Sequence, residues 1–118
     1  MLERLLSMIK YTRTYVRKSD MRSGNEYKIF ISYHGHWAWF TFHDNFMNKS
    51  TLKDWLSCLV LDTLAYDCSR DVYDFARTYG YEDDMSKARK AYRGCEGNAE
   101  KMHRLFTDKE LELLSEIE

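Results

Sequence analysis

The sequence predicts an α+β fold in a single domain of 118 residues, with a sheet-rich half over 1–47 and a helical half over 48–118. Two patterns predict this fold class. Between residues 11 and 42, β-branched and aromatic residues alternate with polar ones, which is typical of strands. After residue 48, apolar residues recur at helical spacing. The chain has no proline and no Gly/Ser-rich stretch, so no linker is expected to divide it.

The first half is expected to hold a short helix and three antiparallel strands. Residues 2–9 place apolar side chains on one helical face: Leu2, Leu5, Leu6 and Ile9. Residues 11–17 predict a strand with one side made of Tyr11, Arg13, Tyr15 and Arg17. A turn-rich loop is predicted over Ser19 to Asn25. Residues 27–33 and 36–42 are β-rich and flank His34-Gly35, which fits a two-residue hairpin turn.

The predicted hairpin assigns each side chain to a face, because directly opposed residues share a face. The expected core face pairs Tyr33 with His36, Ile31 with Ala38, Ile29 with Phe40 and Tyr27 with Phe42. The other face presents Phe30, Trp37 and Trp39 beside Ser32, Lys28 and Thr41. It is more aromatic than an ordinary solvated face, so we expect something to cover it.

The second half is expected to contain four to five helices. They begin at Ser50 or Thr51, near Ser69 and Asp71, at Asp83 or Asp84, at Asn98 and at Thr107; the second ends at Gly80 and the third near Gly97. Thr107 and Glu110 form a capping-box pattern. The residues expected to face the core are Leu52, Trp55, Leu56, Leu59, Val60, Thr63, Leu64, Val72, Phe75, Ala76, Tyr79, Met85, Ala88, Ala91, Tyr92, Cys95, Met102, Leu105, Phe106, Leu111, Leu114 and Ile117.

Charge and cysteine content narrow the function classes. Lys and Arg number 18 and Asp and Glu 19, a net charge of -1, so any nucleic-acid binding must be local. Residues 1–30 carry seven basic and three acidic groups, whereas residues 61–118 carry nine and fourteen. Three cysteines without a CxxC pair argue against a disulfide framework and favour a reducing compartment. No signal peptide or bilayer-length apolar stretch is recognised, so a cytoplasmic location is expected.

Neither a metal site nor an enzyme is favoured. The cluster of His34, His36, His43 and Asp44 extends over roughly 20 Å at strand rise, too far for one ion. Cys58 and Cys95 fall on predicted apolar faces, which disfavour a reactive thiolate. The run Glu82-Asp83-Asp84 suits an acid/base or cation site, but helix capping explains it better. Phosphate-loop and elbow-serine motifs are absent from the sequence, and no cofactor is expected.

The aromatic and basic first half suggests a binding surface. Bases can stack on a sheet that carries Tyr11, Arg13, Tyr15, Arg17, Lys28, Trp37 and Trp39, while its cations contact phosphates. The same residue types anchor protein–protein interfaces, and burial beneath the helices is a third interpretation. The acids of the helical half suit mimicry of phosphate charge or an ordinary solvated face: Glu82, Asp83, Asp84, Glu110, Glu112, Glu116 and Glu118.

The runs Trp55–Asp62, Asp71–Asp84 and Lys87–Tyr92, with Phe40–Asn48 upstream and the pair Leu105-Phe106, resemble small proteins encoded by bacteriophages and mobile elements. The chain departs from that pattern at Phe46, where serine is more usual. The resemblance implies a phage accessory protein without enzymatic activity. It would bind a host defence complex stoichiometrically, as anti-CRISPR inhibitors of Cas nucleases do. The residues expected at that interface come from the aromatic and basic sheet surface and the acidic run, not from the resemblance: Phe30, Trp37, Trp39, Tyr15, Arg13, Arg17, Glu82, Asp83 and Asp84.

Two further possibilities arise from the residues. The alternative function is a small nucleic-acid-binding accessory protein that uses the basic and aromatic sheet face. A homodimer is also possible, because the first and last helices are each amphipathic and either could pair with a second copy.

Overall fold

The computed structural model describes residues 1–18, 24–44 and 51–117 and confirms the α+β class. In chain order the elements are α1 (Leu2–Met8), β1 (Lys10–Lys18), β2 (Asn25–Tyr33), β3 (His36–Asp44), α2 (Leu52–Cys68), α3 (Val72–Tyr79), α4 (Met85–Leu105) and α5 (Asp108–Leu114). Most of the predicted loop Ser19 to Asn25, and Phe46 with its neighbours, lie outside the described residues.

The sheet has the strand order β1-β2-β3 and is antiparallel throughout. The predicted hairpin is confirmed pair by pair, from Tyr33 opposite His36 to Tyr27 opposite Phe42. His34 and Gly35 both have positive φ, at 49° and 80°, as a type I′ turn requires. The turn and the alternating pattern together fix the register of these two strands.

A bulge divides β1 into two parts with opposite facing. Up to Tyr15 the pairing is regular, and Tyr11 and Arg13 lie opposite Ile31 and Ile29 on the core side. The register then shifts, and Arg17 pairs with Glu26. The prediction that Arg17 shares a side with the three preceding residues is therefore wrong, because one extra residue in a strand turns the residues after it to the other face.

The core lies between one face of the sheet and the helices. Its most deeply buried large side chains are Phe40, Ile29, Ile31, Leu56, Leu59, Met102 and Leu114. Burying one such side chain completely contributes about 1.5–3 kcal/mol. The N-terminal helix α1 adds Leu5 to this cluster, and Ile9, the residue after the helix, adds a second side chain.

The helices of the second half begin, and α3 ends, at residues that the sequence predicts as caps, but one predicted helix boundary is absent. Capping boxes at Thr51 and Thr107 begin α2 and α5, and Gly80 ends α3 in the left-handed region at φ 80°. The predicted break near Gly97 is wrong, since α4 is a single helix. A glycine inside a helix costs about 1 kcal/mol relative to alanine, which packing easily offsets.

Four residues predicted to face the core are exposed instead: His36, Cys58, Leu64 and Tyr79. His36 directly follows the hairpin turn, at the end of the sheet. The helix α2 buries Trp55, Leu56, Leu59, Val60, Thr63 and Ala65, and Cys58 and Leu64 lie outside that set. In the part of the chain that the structure describes, no helix is both long and apolar enough to span a bilayer.

Candidate binding surface on the outer face of the sheet

The outer face of the sheet, opposite the helices, carries an exposed aromatic cluster. Its members are Phe30 on β2 and Trp37 and Trp39 on β3; the Phe30 ring centroid lies 5.8 Å from that of Trp37 and 5.1 Å from that of Trp39. The interpretation that the helices bury this face is wrong for the two indoles, since Trp37 is 61% and Trp39 42% exposed. Exposed neighbouring indoles are typical of binding surfaces.

Three cations gather beside these indoles. Lys28 lies next to Phe30 along the outer face of β2, while Lys101 and Arg104 come from the end of α4. Lys101 and Arg104 line one groove together with Trp37 and Trp39. Burial lowers the pKa of Lys101, and repulsion from Arg104 and Lys28 lowers it further. Among the described residues, no carboxylate forms an ion pair with any of the three. Their positive charge is therefore available to a ligand.

The Lys101 side chain also fixes the end of α4 against the sheet. Its Nζ donates a hydrogen bond of 2.6 Å to the carbonyl oxygen of Trp39 and lies 5.3 Å from the ring centroid of Phe40. A groove of about 450 Å³ lies at this junction, lined by Gly35, His36, Trp37, Ala38, Trp39, Lys101 and Arg104. We call it the Trp groove. It combines flat rings with cations, which suits a planar ligand that bears negative charge.

The residues that the sequence predicts to form one binding surface lie on two different faces of the sheet. Arg13 and Tyr15 lie on the core side, where the Arg13 guanidinium stands 5.0 Å from the Tyr27 ring centroid and 5.9 Å from that of Trp55. The Tyr15 and Tyr27 rings pack edge to face, with their centroids 5.9 Å apart. The hypothesis that these residues share one surface with Trp37 and Trp39 is therefore wrong. The β-bulge does bring Arg17 to the outer face, where its Nε is 3.5 Å from a Glu26 carboxylate oxygen.

The predicted acidic residues lie far from the Trp groove. Glu82, Asp83 and Asp84 precede α4, and an Asp84 carboxylate oxygen caps that helix by accepting a 3.0 Å hydrogen bond from the Lys87 backbone N–H. From Asp84 to Lys101 the helix rises about 26 Å. The capping interpretation of Asp84 is confirmed, and the acids do not form one surface with the indoles.

Metal ligands and two of the three cysteines can be assessed among the described residues. No three His, Cys, Asp or Glu side chains among the described residues are placed to hold a metal ion, and the Asp44 side chain is outside them. Burial, followed by the nearby Asp62 carboxylate, raises the pKa of the Cys95 thiol to about 11. The pKa of Cys58 is raised for the same two reasons. Both cysteines therefore favour the unreactive thiol.

The His103 imidazole lies between two carboxylates. Its Nε2 is 2.7 Å from an Asp67 oxygen, and its Nδ1 is 3.9 Å from an Asp108 oxygen. Both ring nitrogens face acceptors, so neither is directed at a side chain that could act as a nucleophile. This arrangement links α2, α4 and the start of α5.

Sequence reasoning identified the indoles and missed Lys101 and Arg104. The two cations stand three residues apart and so lie on one side of α4, which is the only local signal that they act together. Comparison with known proteins adds no relative, because no protein-family model, curated protein or solved structure matches this chain. The resemblance to phage-encoded proteins therefore stays a prediction.

Proposed function

We propose that this protein is a non-enzymatic binding protein that holds single-stranded nucleic acid in and beside the Trp groove. Bases stack on Trp37 and Trp39, and phosphates meet Lys28, Lys101 and Arg104. The observation that carries the proposal is that Lys101 and Arg104 line one groove with two exposed indoles, Lys28 is on the same outer face as the indoles, and none of the three cations has a carboxylate partner among the described residues.

The geometry matches how proteins bind single strands without reading sequence. Trp37 and Trp39 are two residues apart on one strand, so their side chains project in the same direction about 7 Å apart. Each stacked base contributes roughly 1–3 kcal/mol, whichever base it is. With three phosphate contacts, the affinity should fall with salt with a logarithmic slope of about -2. The net charge of -1 restricts this attraction to the basic patch.

Fluorescence anisotropy with a labelled oligothymidylate of about 12 nucleotides tests the proposal. We expect saturable binding that weakens along the predicted salt slope, with an RNA of the same length also bound and a blunt duplex bound more weakly, because paired bases cannot stack on the indoles. Binding that is equally tight for the duplex, or independent of salt, would contradict the proposal.

Matched variants separate stacking from nonspecific effects. The double variant Trp37→Ala/Trp39→Ala should weaken binding by about tenfold or more. Tyr73→Ala is the control, because Tyr73 is 62% exposed but lies on α3. For charge, Lys28→Ala/Arg104→Ala should reduce both affinity and the salt slope, whereas Arg89→Ala/Lys90→Ala removes the same charge from the other end of α4 and should change neither. Circular dichroism verifies that each variant is folded.

A second candidate function is the stoichiometric inhibitor implied by the phage resemblance, acting on a host protein complex such as a Cas effector in the bacterial cytoplasm. It is supported by the exposed carboxylates of Glu82 and Asp83, which no described residue pairs, and by Trp37 as an interface anchor. Pull-down from a lysate that contains Cas effectors, with and without nuclease, distinguishes the two functions. A nuclease-resistant protein partner that Trp37→Ala/Trp39→Ala releases would favour inhibition; recovery of nucleic acid alone, lost at high salt, would favour the first proposal.

A further inference from the structure

The strand β1 forms an open edge of the sheet. All nine of its residues are exposed, and within the described part of the chain it pairs with β2 alone. In an edge strand, alternate backbone N–H and C=O groups point away from the sheet and can pair with another extended chain. The regular part of this edge runs from Lys10 to Tyr15, before the bulge.

The charge of β1 indicates what such a chain must carry. The strand contains Lys10, Arg13, Arg17 and Lys18 and no acidic residue. A second copy is a poor partner, because full-length antiparallel pairing of two β1 strands places Lys10 opposite Lys18 twice, and opposed like charges destabilise a sheet. We propose that the β1 edge binds an extended acidic peptide segment of a partner protein as a fourth strand.

The side chains on the two faces of β1 determine which positions of the peptide should be apolar and which acidic. On the core side Tyr11 and Tyr15 flank Arg13, and the Tyr11 ring lies 5.8 Å from that of Trp55. A peptide strand next to them places apolar side chains on this side, against the rings of Tyr11 and Tyr15. On the outer side Lys10 attracts a carboxylate, while Arg17 is already paired with Glu26. Main-chain hydrogen bonds supply affinity, and the alternating side chains supply selectivity.

The probe is a fluorescein-labelled peptide of about eight residues in which glutamate alternates with valine. Anisotropy should show saturable binding that weakens with salt. The same peptide with alternate backbone amides N-methylated keeps its charge but cannot pair, and should bind about tenfold more weakly or worse. A lysine-for-glutamate peptide should not bind. Equal affinity for the N-methylated peptide would overturn strand addition, because charge attraction alone would then explain the binding.

Variants of the protein test whether the peptide binds at the β1 edge and not in the Trp groove. Lys10→Glu/Lys18→Glu should weaken peptide binding about tenfold, while the equal charge change Arg89→Glu/Lys90→Glu on α4 should have little effect. Trp37→Ala/Trp39→Ala should leave peptide binding unchanged, whether or not the nucleic-acid proposal holds. Loss of peptide binding in the indole variant, displacement of the peptide by oligothymidylate in that variant, or a β1-dependent dimer in sedimentation would each overturn the proposal.

Discussion

The hydrogen bond between Tyr33 and Glu110 joins the end of β2 to α5, and its removal should destabilise the protein measurably. Tyr33 is 3% exposed and its hydroxyl donates to Glu110 Oε2, while Glu110 Oε1 accepts a 2.8 Å hydrogen bond from the Thr107 backbone N–H. Tyr33→Phe deletes one hydroxyl and leaves the ring in place. A hydrogen bond to a charged group contributes about 1.5–3 kcal/mol. Because Glu110 is only half-buried, we expect a loss of about 1.5 kcal/mol in the free energy of unfolding.

The pKa values give this contribution a pH dependence. Burial, followed by the hydrogen bond and charge of Glu110, raises the pKa of Tyr33 from 10.0 to about 12. Since the folded state binds the phenolic proton more tightly, this contribution is complete below pH 10 and is lost as the pH rises toward 12. The pKa of Glu110 is lowered from 4.5 despite its partial burial, by hydrogen bonds from Thr107 and Tyr33, so its contribution is lost as the pH falls below that value.

Urea unfolding of the wild type and Tyr33→Phe, repeated across pH, measures this difference. We expect the difference in free energy of unfolding between the two proteins to be constant from about pH 5 to 9 and to narrow toward both extremes. At neutral pH the Tm of the variant should be about 6 °C lower. Tyr66→Phe is the control, because Tyr66 donates a 2.9 Å hydrogen bond to Glu96 at a more open site and should lose less. A gap that is absent at neutral pH, or that persists unchanged at pH 12, would refute the reasoning.

Three other predictions concern packing, capping and cysteine chemistry. Leu56→Ala should cost about 2–5 kcal/mol in urea unfolding, while Leu61→Ala, at a position 63% exposed, should cost little; equal losses would contradict the packing described. Thr107→Ala should cost about 1 kcal/mol by removing the cap of α5, and Thr107→Ser should restore most of it. With iodoacetamide at pH 8, mass spectrometry should find exposed Cys68 alkylated well before Cys95, whose pKa is about 11; the reverse order would contradict the environment of Cys95.

The parts of the fold that depend on local chemistry were predictable. The β2–β3 register results from alternation and a two-residue turn, and the caps at Thr107 and Gly80 result from residue type at a fixed offset. The bulge in β1 has no such signature, so the facing of Arg17 was wrong. The continuity of α4 through Gly94 and Gly97 depends on packing along the whole helix, which outweighs the cost of two glycines.

The candidate site was predictable only for its aromatic half. Trp37 and Trp39 were identified because strand alternation places them on one face. Lys101 contacts the Trp39 carbonyl across 62 positions of sequence, and this contact depends on how α4 crosses the sheet. Periodicity describes which side of a helix is apolar and does not say which strand its last turn reaches. The cations of the Trp groove were missed for that reason.

The contact between Lys101 and the Trp39 carbonyl oxygen makes the sheet asymmetric. It occupies a backbone acceptor of β3, and α4 lies against that strand, while the β1 edge stays open. Unlimited growth of a sheet by stacking monomers side by side requires each molecule to offer two open edges, as cross-β assemblies do. In this molecule Lys101 already occupies one acceptor of β3, so a strand that pairs there would have to displace it, and repeated side-by-side addition is less favourable than a single addition at β1.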